Sequence, residues 1–146
     1  MKQTLLTILF TFLPFIANAA AVEINGMYYK LNYDEKTAEL TSSPNLYKGN
    51  IILPEFISYE GDEYRLIKIG YSAFGNCEEL VSVSIPNSVI SIGKGAFSFC
   101  KSLSSITIPD NVTTIGEEAF NGCSGLTSVL LGKGIYEIGE YAFCMC

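Results

Sequence analysis

The 146-residue chain contains no histidine and no tryptophan. Histidine is the commonest general base and metal-binding side chain near neutral pH, so its absence argues against most hydrolytic and metal-dependent enzymes. Charged residues make up only 16% of the chain, and acids outnumber bases by 15 to 9. The net charge of −6 argues against binding to nucleic acids or anionic membranes, because both need clustered cations.

Motifs for catalysis, cofactors and metals are also missing. Four of the five cysteines lie 23 residues apart, whereas metal and iron–sulfur sites need ligands a few residues apart. The pairs Glu78-Glu79 and Glu117-Glu118 lack the spacing of a calcium loop and the arrangement of a glycosidase pair, so we interpret them as solvated surface charge. We therefore predict that the protein is not an enzyme and has no catalytic residue, cofactor or metal.

The one long apolar run is at the N-terminus. Lys2 precedes the apolar residues 5–16, and Ala17-Asn18-Ala19 has the small-x-small pattern of a signal peptidase site. The run is too short for a membrane-spanning helix, which needs about 20 apolar residues. We predict a signal peptide over residues 1–19, with cleavage after Ala21 and an uncleaved anchor as alternatives. Export by the Sec pathway would leave a secreted or cell-surface protein with no membrane span and, after loss of Lys2, a net charge of −7 instead of −6.

A repeat of 23 residues organises the rest of the chain. In each unit, apolar residues alternate with Ser or Thr, as in residues 80–85, which predicts a half-buried strand. A proline such as Pro86 ends the strand, and one helical turn is expected over residues 94–99. A period of this length predicts a leucine-rich-type solenoid. Three columns define the register: Cys77, Cys100, Cys123 and Cys146; Phe74, Phe97, Phe120 and Phe143; Ile69, Ile92, Ile115 and Ile138.

The N-terminal part departs from this pattern. Asn25-Gly26 is a two-residue turn signal between short strands, and a third strand is expected over residues 37–41. We predict a small β cap over residues 20–48 and a variant first repeat over residues 49–77, with a protruding hairpin inserted at residues 59–64. Three regular repeats then fill residues 78–146.

Residues 103–123, LSSITIPDNVTTIGEEAFNGC, resemble the BspA-like leucine-rich repeats of bacterial and protist secreted or surface proteins. Residues 22–77 are similar to the leader domain of secreted members. The resemblance implies a right-handed solenoid and, for some members, adhesion to host matrix proteins or other cells. The expected fold is therefore mainly β, a right-handed leucine-rich-repeat solenoid with a small N-terminal antiparallel β cap. Gly132 departs from the motif, because the other units have proline there.

The cysteine column is expected to belong to the core. Stacked strands lie about 4.8 Å apart, a distance that a disulfide tolerates, but side chains stacked in a column point the same way. We therefore expect Cys77, Cys100 and Cys123 to be buried and reduced. Cys144 occupies a different position in the repeat, and we expect it to be exposed.

The favoured function is a binding or adhesion module that recognises an extracellular or host matrix protein or a glycan. The alternative is a structural or vestigial N-terminal fragment of a longer repeat adhesin. The last repeat has no polar cap in this sequence, so self-association through it is also expected. Candidate ligand-binding residues are two hairpin tyrosines and five outward strand residues: Tyr59, Tyr64, Ser82, Ser84, Ser105, Thr107 and Ser128.

Overall fold

The computed structural model describes residues 20–146, so the predicted signal peptide lies outside the described residues. This part of the chain forms twelve β-strands and no helix, which confirms the mainly β fold. The strands are β1 Val22–Ile24, β2 Met27–Asn32, β3 Thr37–Thr41, β4 Gly49–Ile52, β5 Phe56–Tyr59, β6 Asp62–Ile69, β7 Leu80–Ser84, β8 Ser91–Ile92, β9 Ser105–Thr107, β10 Thr114–Ile115, β11 Ser128–Leu130 and β12 Glu137–Ile138.

The first three strands form an antiparallel meander. β1 and β2 are joined by Asn25 and Gly26, whose φ angles of 52° and 78° are those that a tight two-residue hairpin turn requires. β2 pairs antiparallel with β3, and β3 then pairs in parallel with β6. The meander therefore continues the sheet to which the repeats contribute.

β5 and β6 form the expected hairpin around Glu60 and Gly61. β6 also lies in parallel between β3 and β8, so it is an interior strand of the sheet. Its residues Tyr64, Leu66 and Ile69 are buried. The interior part of β6 begins at Arg65, where its pairing with β3 starts, whereas residues 60–63 are exposed. The protruding hairpin over residues 59–64 therefore stays a prediction, and only its last residue, Tyr64, is buried.

The repeats associate through two layers of parallel strands. In one layer, β6, β8, β10 and β12 follow in order, with Ile92 opposite Ile115 and Ile115 opposite Ile138. In the other layer, β4 pairs with β7, and β9 pairs with β11. Ser105 is opposite Ser128 in this second layer. Partners in the regular part are therefore offset by 23 residues.

The phenylalanine column is a continuous stack in the core. Ring centroids of Phe74 and Phe97 are 4.9 Å apart, those of Phe97 and Phe120 are also 4.9 Å apart, and those of Phe120 and Phe143 are 5.0 Å apart. Tyr47 ends the stack, with its ring centroid 5.1 Å from that of Phe74 and its plane inclined by 60°. The N-terminal part therefore closes the aromatic core with a side chain that does not belong to the repeat.

The expected helical turn over residues 94–99 is wrong. Ala96 N–H donates to the carbonyl of Gly93, and Ser98 N–H donates to that of Gly95, as in tight turns. Gly95 and Phe99 have φ angles of 61° and 59°, and this left-handed conformation prevents a helix from continuing. Phe97 N–H instead donates to the carbonyl of Ala119 at 2.7 Å, so the turn is bonded to the next repeat.

The cysteine column is buried as predicted at Cys77, Cys100 and Cys123, and Cys144 is exposed. The Cys100 thiol lies 3.1 Å from the carbonyl oxygen of Phe74, to which it donates. Burial raises the pKa of the Cys77 thiol, although the N–H of Tyr47 opposes this shift. Burial therefore favours the weakly nucleophilic protonated form of the Cys77 thiol. The redox state of the three buried cysteines in the exported protein stays a prediction.

Candidate binding face

The outward side chains of β4, β7, β9 and β11 form an exposed surface, which we call the hydroxyl face. On β7, Val83 points into the core while Ser82 and Ser84 on either side of it are exposed, because alternate residues of a strand point to opposite sides. Leu80 is also buried, because the pairing with β4 shifts register between Leu80 and Ser82 and interrupts the alternation there. The same division places Ile106 inside and its neighbours outside on β9. The hydroxyl face consists of Asn50, Ile52, Ser82, Ser84, Ser105, Thr107, Ser128 and Leu130.

These residues form two rows across the strands. In the first row, Asn50 lies opposite Ser82 and Ser105 lies opposite Ser128. The Ser82 hydroxyl donates to the Asn50 side-chain oxygen at 2.7 Å. The first row is therefore polar throughout, and two of its side chains are hydrogen-bonded to each other.

The second row combines hydroxyls with aliphatic ends. Ile52 lies opposite Ser84, and Thr107 lies opposite Leu130. Ile52 is 80% exposed and Leu130 is 64% exposed. Two apolar side chains therefore stand in water at the ends of a row whose middle is Ser84 and Thr107.

A shallow depression of about 460 Å³ lies over the middle of the hydroxyl face. It spans the boundary between β7 and β9, where the strand layer divides into two separate two-stranded sheets. Its lining includes Ser82, Ser84, Ser105 and Thr107. The structure thus brings four of the predicted residues into one concavity, with Ser128 one strand beyond it.

A second, more apolar groove adjoins this depression at Ile52. It has a volume of about 370 Å³, and its lining includes Ile24, Met27, Ile52 and Phe56. Phe56 is 51% exposed, so the groove offers accessible apolar surface. Because Ile52 lines both concavities, the groove extends the hydroxyl face towards the N-terminal meander.

None of the eight residues of the hydroxyl face has an ionisable side chain. Charges occur instead just before the strands, where Lys48 pairs with Glu79 at 2.7 Å and Lys101 pairs with Glu78 at 2.8 Å. These pairs are exposed, and such pairs contribute little to stability. A ligand on the hydroxyl face would therefore contact hydroxyl and aliphatic groups, and the nearby lysines and glutamates are already paired with each other.

The two predicted tyrosines do not join this surface, because they lie on the hairpin in the other sheet. Tyr64 is 1% exposed, with the Tyr33 ring 5.8 Å away and the Lys36 ammonium 5.2 Å from its centre. The prediction that Tyr64 is a ligand-binding residue is therefore wrong, since β6 turns it into the core. Tyr59 is half-buried, and the nearby charge of Glu60 raises the pKa of its phenol.

Sequence reasoning missed Asn50, Ile52 and Leu130. The run Ile51-Ile52-Leu53 is apolar throughout, so composition does not show that Ile52 faces water. A usable signal was the proline: Ile52 precedes Pro54 by two residues, just as Ser84 precedes Pro86. Aligning the strands on proline places Ile52 on the outward side.

The site offers hydrogen bonds and apolar contact, with no evident means of activating a nucleophile. The chain contains no histidine that could act as a base for Ser84 or Thr107. Residues 20–146 contain no cluster of three or more His, Cys, Asp or Glu side chains suited to hold a metal ion. In the same range, no helix has the length and apolarity needed to cross a membrane.

A model of the BspA type leucine rich repeat region matches residues 57–146 in six copies. The chain belongs to the BspA type leucine-rich repeat family. This membership confirms the resemblance in the repeat sequence, and it agrees with the parallel pairings described above. No curated protein matches the sequence.

Solved structures of leucine-rich repeat proteins are similar to most of the chain. A protein from Bacteroides ovatus is 33% identical with a TM-score of 0.76, and the match covers 86% of this chain and 33% of that one. One from Bacteroides capillosus is 30% identical with a TM-score of 0.73, covering 81% and 86% of the two chains. The T. pallidum protein is 27% identical with a TM-score of 0.68, covering 86% and 67%. The chain therefore spans about one third of the Bacteroides ovatus protein and most of the Bacteroides capillosus protein.

The last repeat presents a separate depression of about 310 Å³. Leu126, Val129, Leu131 and Phe143 contribute its apolar lining. These residues are among those expected to mediate self-association, which stays a prediction.

Proposed function

We propose that this protein is a secreted or cell-surface binding module that recognises an extracellular protein or glycan through the hydroxyl face. The observation that carries the proposal is the gathering of Ser82, Ser84, Ser105 and Thr107 in one uncharged depression. Serine and threonine hydroxyls both donate and accept hydrogen bonds, so they suit the polar groups of either ligand class. Family membership supports a repeat protein whose stacked strands provide an extended surface.

The proposal includes the finer architecture. The 23-residue offsets of the parallel pairs support a solenoid with three regular repeats over residues 78–146 and a variant repeat over residues 49–77. The right hand of the solenoid rests on the general preference of connections between parallel strands. The antiparallel pairing of β1, β2 and β3 supports a cap over residues 20–48. The N-terminal apolar run and its Ala17-Asn18-Ala19 site support export by the Sec pathway.

Screening the exported protein against immobilised matrix proteins and glycans tests this function. A ligand found in the screen should lose at least tenfold in affinity to the double variant Ser84→Glu and Thr107→Glu, because two carboxylates would have to be desolvated in the depression. Thr113→Glu is the matched control, since Thr113 is exposed beside the other strand layer. Its affinity and melting temperature should stay close to those of the parent protein.

A confirmed ligand that binds the double variant as tightly as the parent protein would move the site away from the hydroxyl face. A ligand that is equally weakened by Thr113→Glu would indicate a general charge effect. The alternative of a structural or vestigial fragment stays a prediction, and it would gain support if no matrix protein or glycan were bound.

A further inference from the structure

The two exposed aliphatic residues of the hydroxyl face stand at a fixed separation. Ile52 and Leu130 end the second row, with Ser84 on β7 and Thr107 on β9 between them. Three steps separate the two ends: two between paired strands and one from β7 to β9, which are not paired. Paired strands lie about 4.8 Å apart, and the aromatic rings of successive repeats lie 4.9 Å apart, so the separation is roughly 14 Å. Exposed aliphatic side chains are unremarkable singly, but these two share one row with hydroxyls between them.

That separation matches one kind of ligand geometry. An extended polypeptide advances by about 3.4 Å per residue, and residues at even spacing point to the same side. Side chains at positions i and i+4 are therefore roughly 14 Å apart and face the same way, with that of i+2 midway between them. A peptide lying across the strands would thus place i and i+4 over the aliphatic ends and i+2 over the hydroxyls.

The groove beside Ile52 distinguishes the two ends of the row. Its volume of about 370 Å³ and its Met27 and Phe56 walls provide room for a large apolar side chain. Leu130 lines neither that groove nor the central depression, so its end of the row offers an exposed aliphatic side chain without a groove beside it. The apolar residue at the Ile52 end should therefore be the larger one.

The absence of charge on the hydroxyl face further restricts which extended peptide segments can bind. The hydroxyl face has no ionisable side chain that could neutralise a buried charge, so the central residue of the ligand must be uncharged. Serine, threonine or another small polar residue at i+2 would exchange hydrogen bonds with Ser84 and Thr107. A glycan exposes mainly hydroxyl groups and offers no comparable pair of aliphatic side chains at a fixed spacing.

We propose that the hydroxyl face binds an extended, uncharged polypeptide segment with apolar side chains at i and i+4, the larger of them in the groove beside Ile52. This inference rests on the proposed function, and it narrows the ligand to a protein. Recognition of an extended segment through alternate side chains is a mode that other peptide-binding domains use.

Four blocked nonapeptides test the geometry by NMR titration of the isotope-labelled exported protein. The probe is Gly-Ser-Phe-Thr-Ser-Thr-Val-Ser-Gly, with Phe and Val four residues apart. One comparison peptide has the same composition, with Val moved one position nearer to Phe. The second carries Glu in place of the central Ser, and the third carries Ser in place of Phe. The probe should shift amide signals of β4, β7, β9 and β11, and each comparison peptide should bind at least fivefold more weakly.

Two protein variants locate the contacts. Ile52→Ser and Leu130→Ser should each weaken the probe at least fivefold while leaving the melting temperature unchanged, because both side chains are mainly in water. Ile90→Ser is the matched control, since Ile90 is 47% exposed beside the other strand layer. It should bind the probe as the parent protein does.

The outcomes separate this inference from the proposed function. Equal binding of all four peptides, or no effect of Ile52→Ser and Leu130→Ser, would overturn the inference. A glycan that binds and is lost in the Ser84→Glu, Thr107→Glu double variant, with no peptide bound at millimolar concentration, would overturn it while the proposed function stands. A matrix protein whose binding the probe displaces from the hydroxyl face would support both.

Discussion

The N-terminal meander and the repeats build their cores in opposite ways. The meander is antiparallel, and its buried residues include Tyr29 and Leu40, whose contacts occur once in the molecule. The repeats place the same residue at the same depth in successive units, as in the phenylalanine stack. In the repeats each contact is therefore copied along the chain, whereas in the meander each contact depends on its own residues.

The two regions meet at Tyr47 and at β6. Tyr47 packs on Phe74, and its hydroxyl joins the meander by donating to the carbonyl of Thr41 and accepting from the N–H of Tyr28. β3 pairs with β6, which in turn pairs with β8. The meander and the repeats therefore share one β-sheet through β6 and one hydrophobic core through Tyr47. Because of these two connections, destabilisation of either region is expected to affect the other.

The largest effect is expected in the middle of the aromatic stack. Phe97→Ala would remove contacts with both Phe74 and Phe120, and large-to-small core substitutions of this kind cost about 3–5 kcal/mol. Urea unfolding should show a loss of that size. Phe56→Ala is the control and should cost under about 1 kcal/mol, because Phe56 is 51% exposed. Equal losses in both variants would show that the repeats do not depend on a continuous stack.

Glycine-to-alanine substitutions should cost more stability where glycine allows close packing of two repeats than where it only allows a positive φ angle. A Cβ at Gly116 would lie 2.6 Å from the backbone nitrogen of Lys94, so Gly116→Ala must push two repeats apart. We expect a cost of about 2–3 kcal/mol, as for other overpacked sites. Gly26→Ala in the meander meets no atom within 4 Å and should cost only about 1 kcal/mol, from its φ of 78°. The reverse order in urea unfolding would contradict the close approach of the repeats.

Between pH 10 and 12, ionisation of two buried tyrosines should weaken the meander and its contact with the repeats. Burial raises the pKa of both Tyr29 and Tyr47 to about 12, above the usual value of 10. A raised pKa means that the folded state retains its proton, so this stability is complete below pH 10 and is lost as the pH rises towards 12. Each tyrosine should cost about 1 kcal/mol at pH 11. Tyr29→Phe should reduce the pH dependence between pH 10 and 12, and an unchanged profile would exclude Tyr29 as a cause.

The smallest effect concerns a position that differs between successive repeats. Ser72 and Gly95 are equivalent, and both have left-handed φ angles, 46° and 61°. Glycine adopts this conformation without steric cost, so Ser72→Gly should stabilise the protein by about 0.5–1 kcal/mol. Thermal unfolding should show a higher melting temperature, with Ser102→Gly in an exposed turn as the control. A lower melting temperature would mean that the Ser72 side chain contributes more than its backbone strain costs.

The same contrast explains what the sequence could predict. Recurring cysteine, phenylalanine and isoleucine identified buried positions of the repeats, because one register served several units. The residues at the start of β6 have no counterparts in the other repeats. Tyr64 there is compatible with a core strand as well as with an exposed hairpin. The sequence predicts a helical turn at residues 94–99 because phenylalanine rarely adopts a left-handed conformation, so nothing in the residue type indicates the positive φ of Phe99. On the hydroxyl face, the serines and threonines followed from alternation, but Ile52 required the pairing of β4 with β7.

The 23-residue offset between paired strands also constrains how the gene can change in length. A tandem duplication of 23 codons would insert a unit whose strands, aromatic ring and thiol meet matching partners on both sides. A gain or loss of a single codon within a strand would turn every following side chain of that strand to the opposite face. Selection should thus tolerate whole-unit expansion and contraction among descendants of this gene, while rejecting small insertions in the strands.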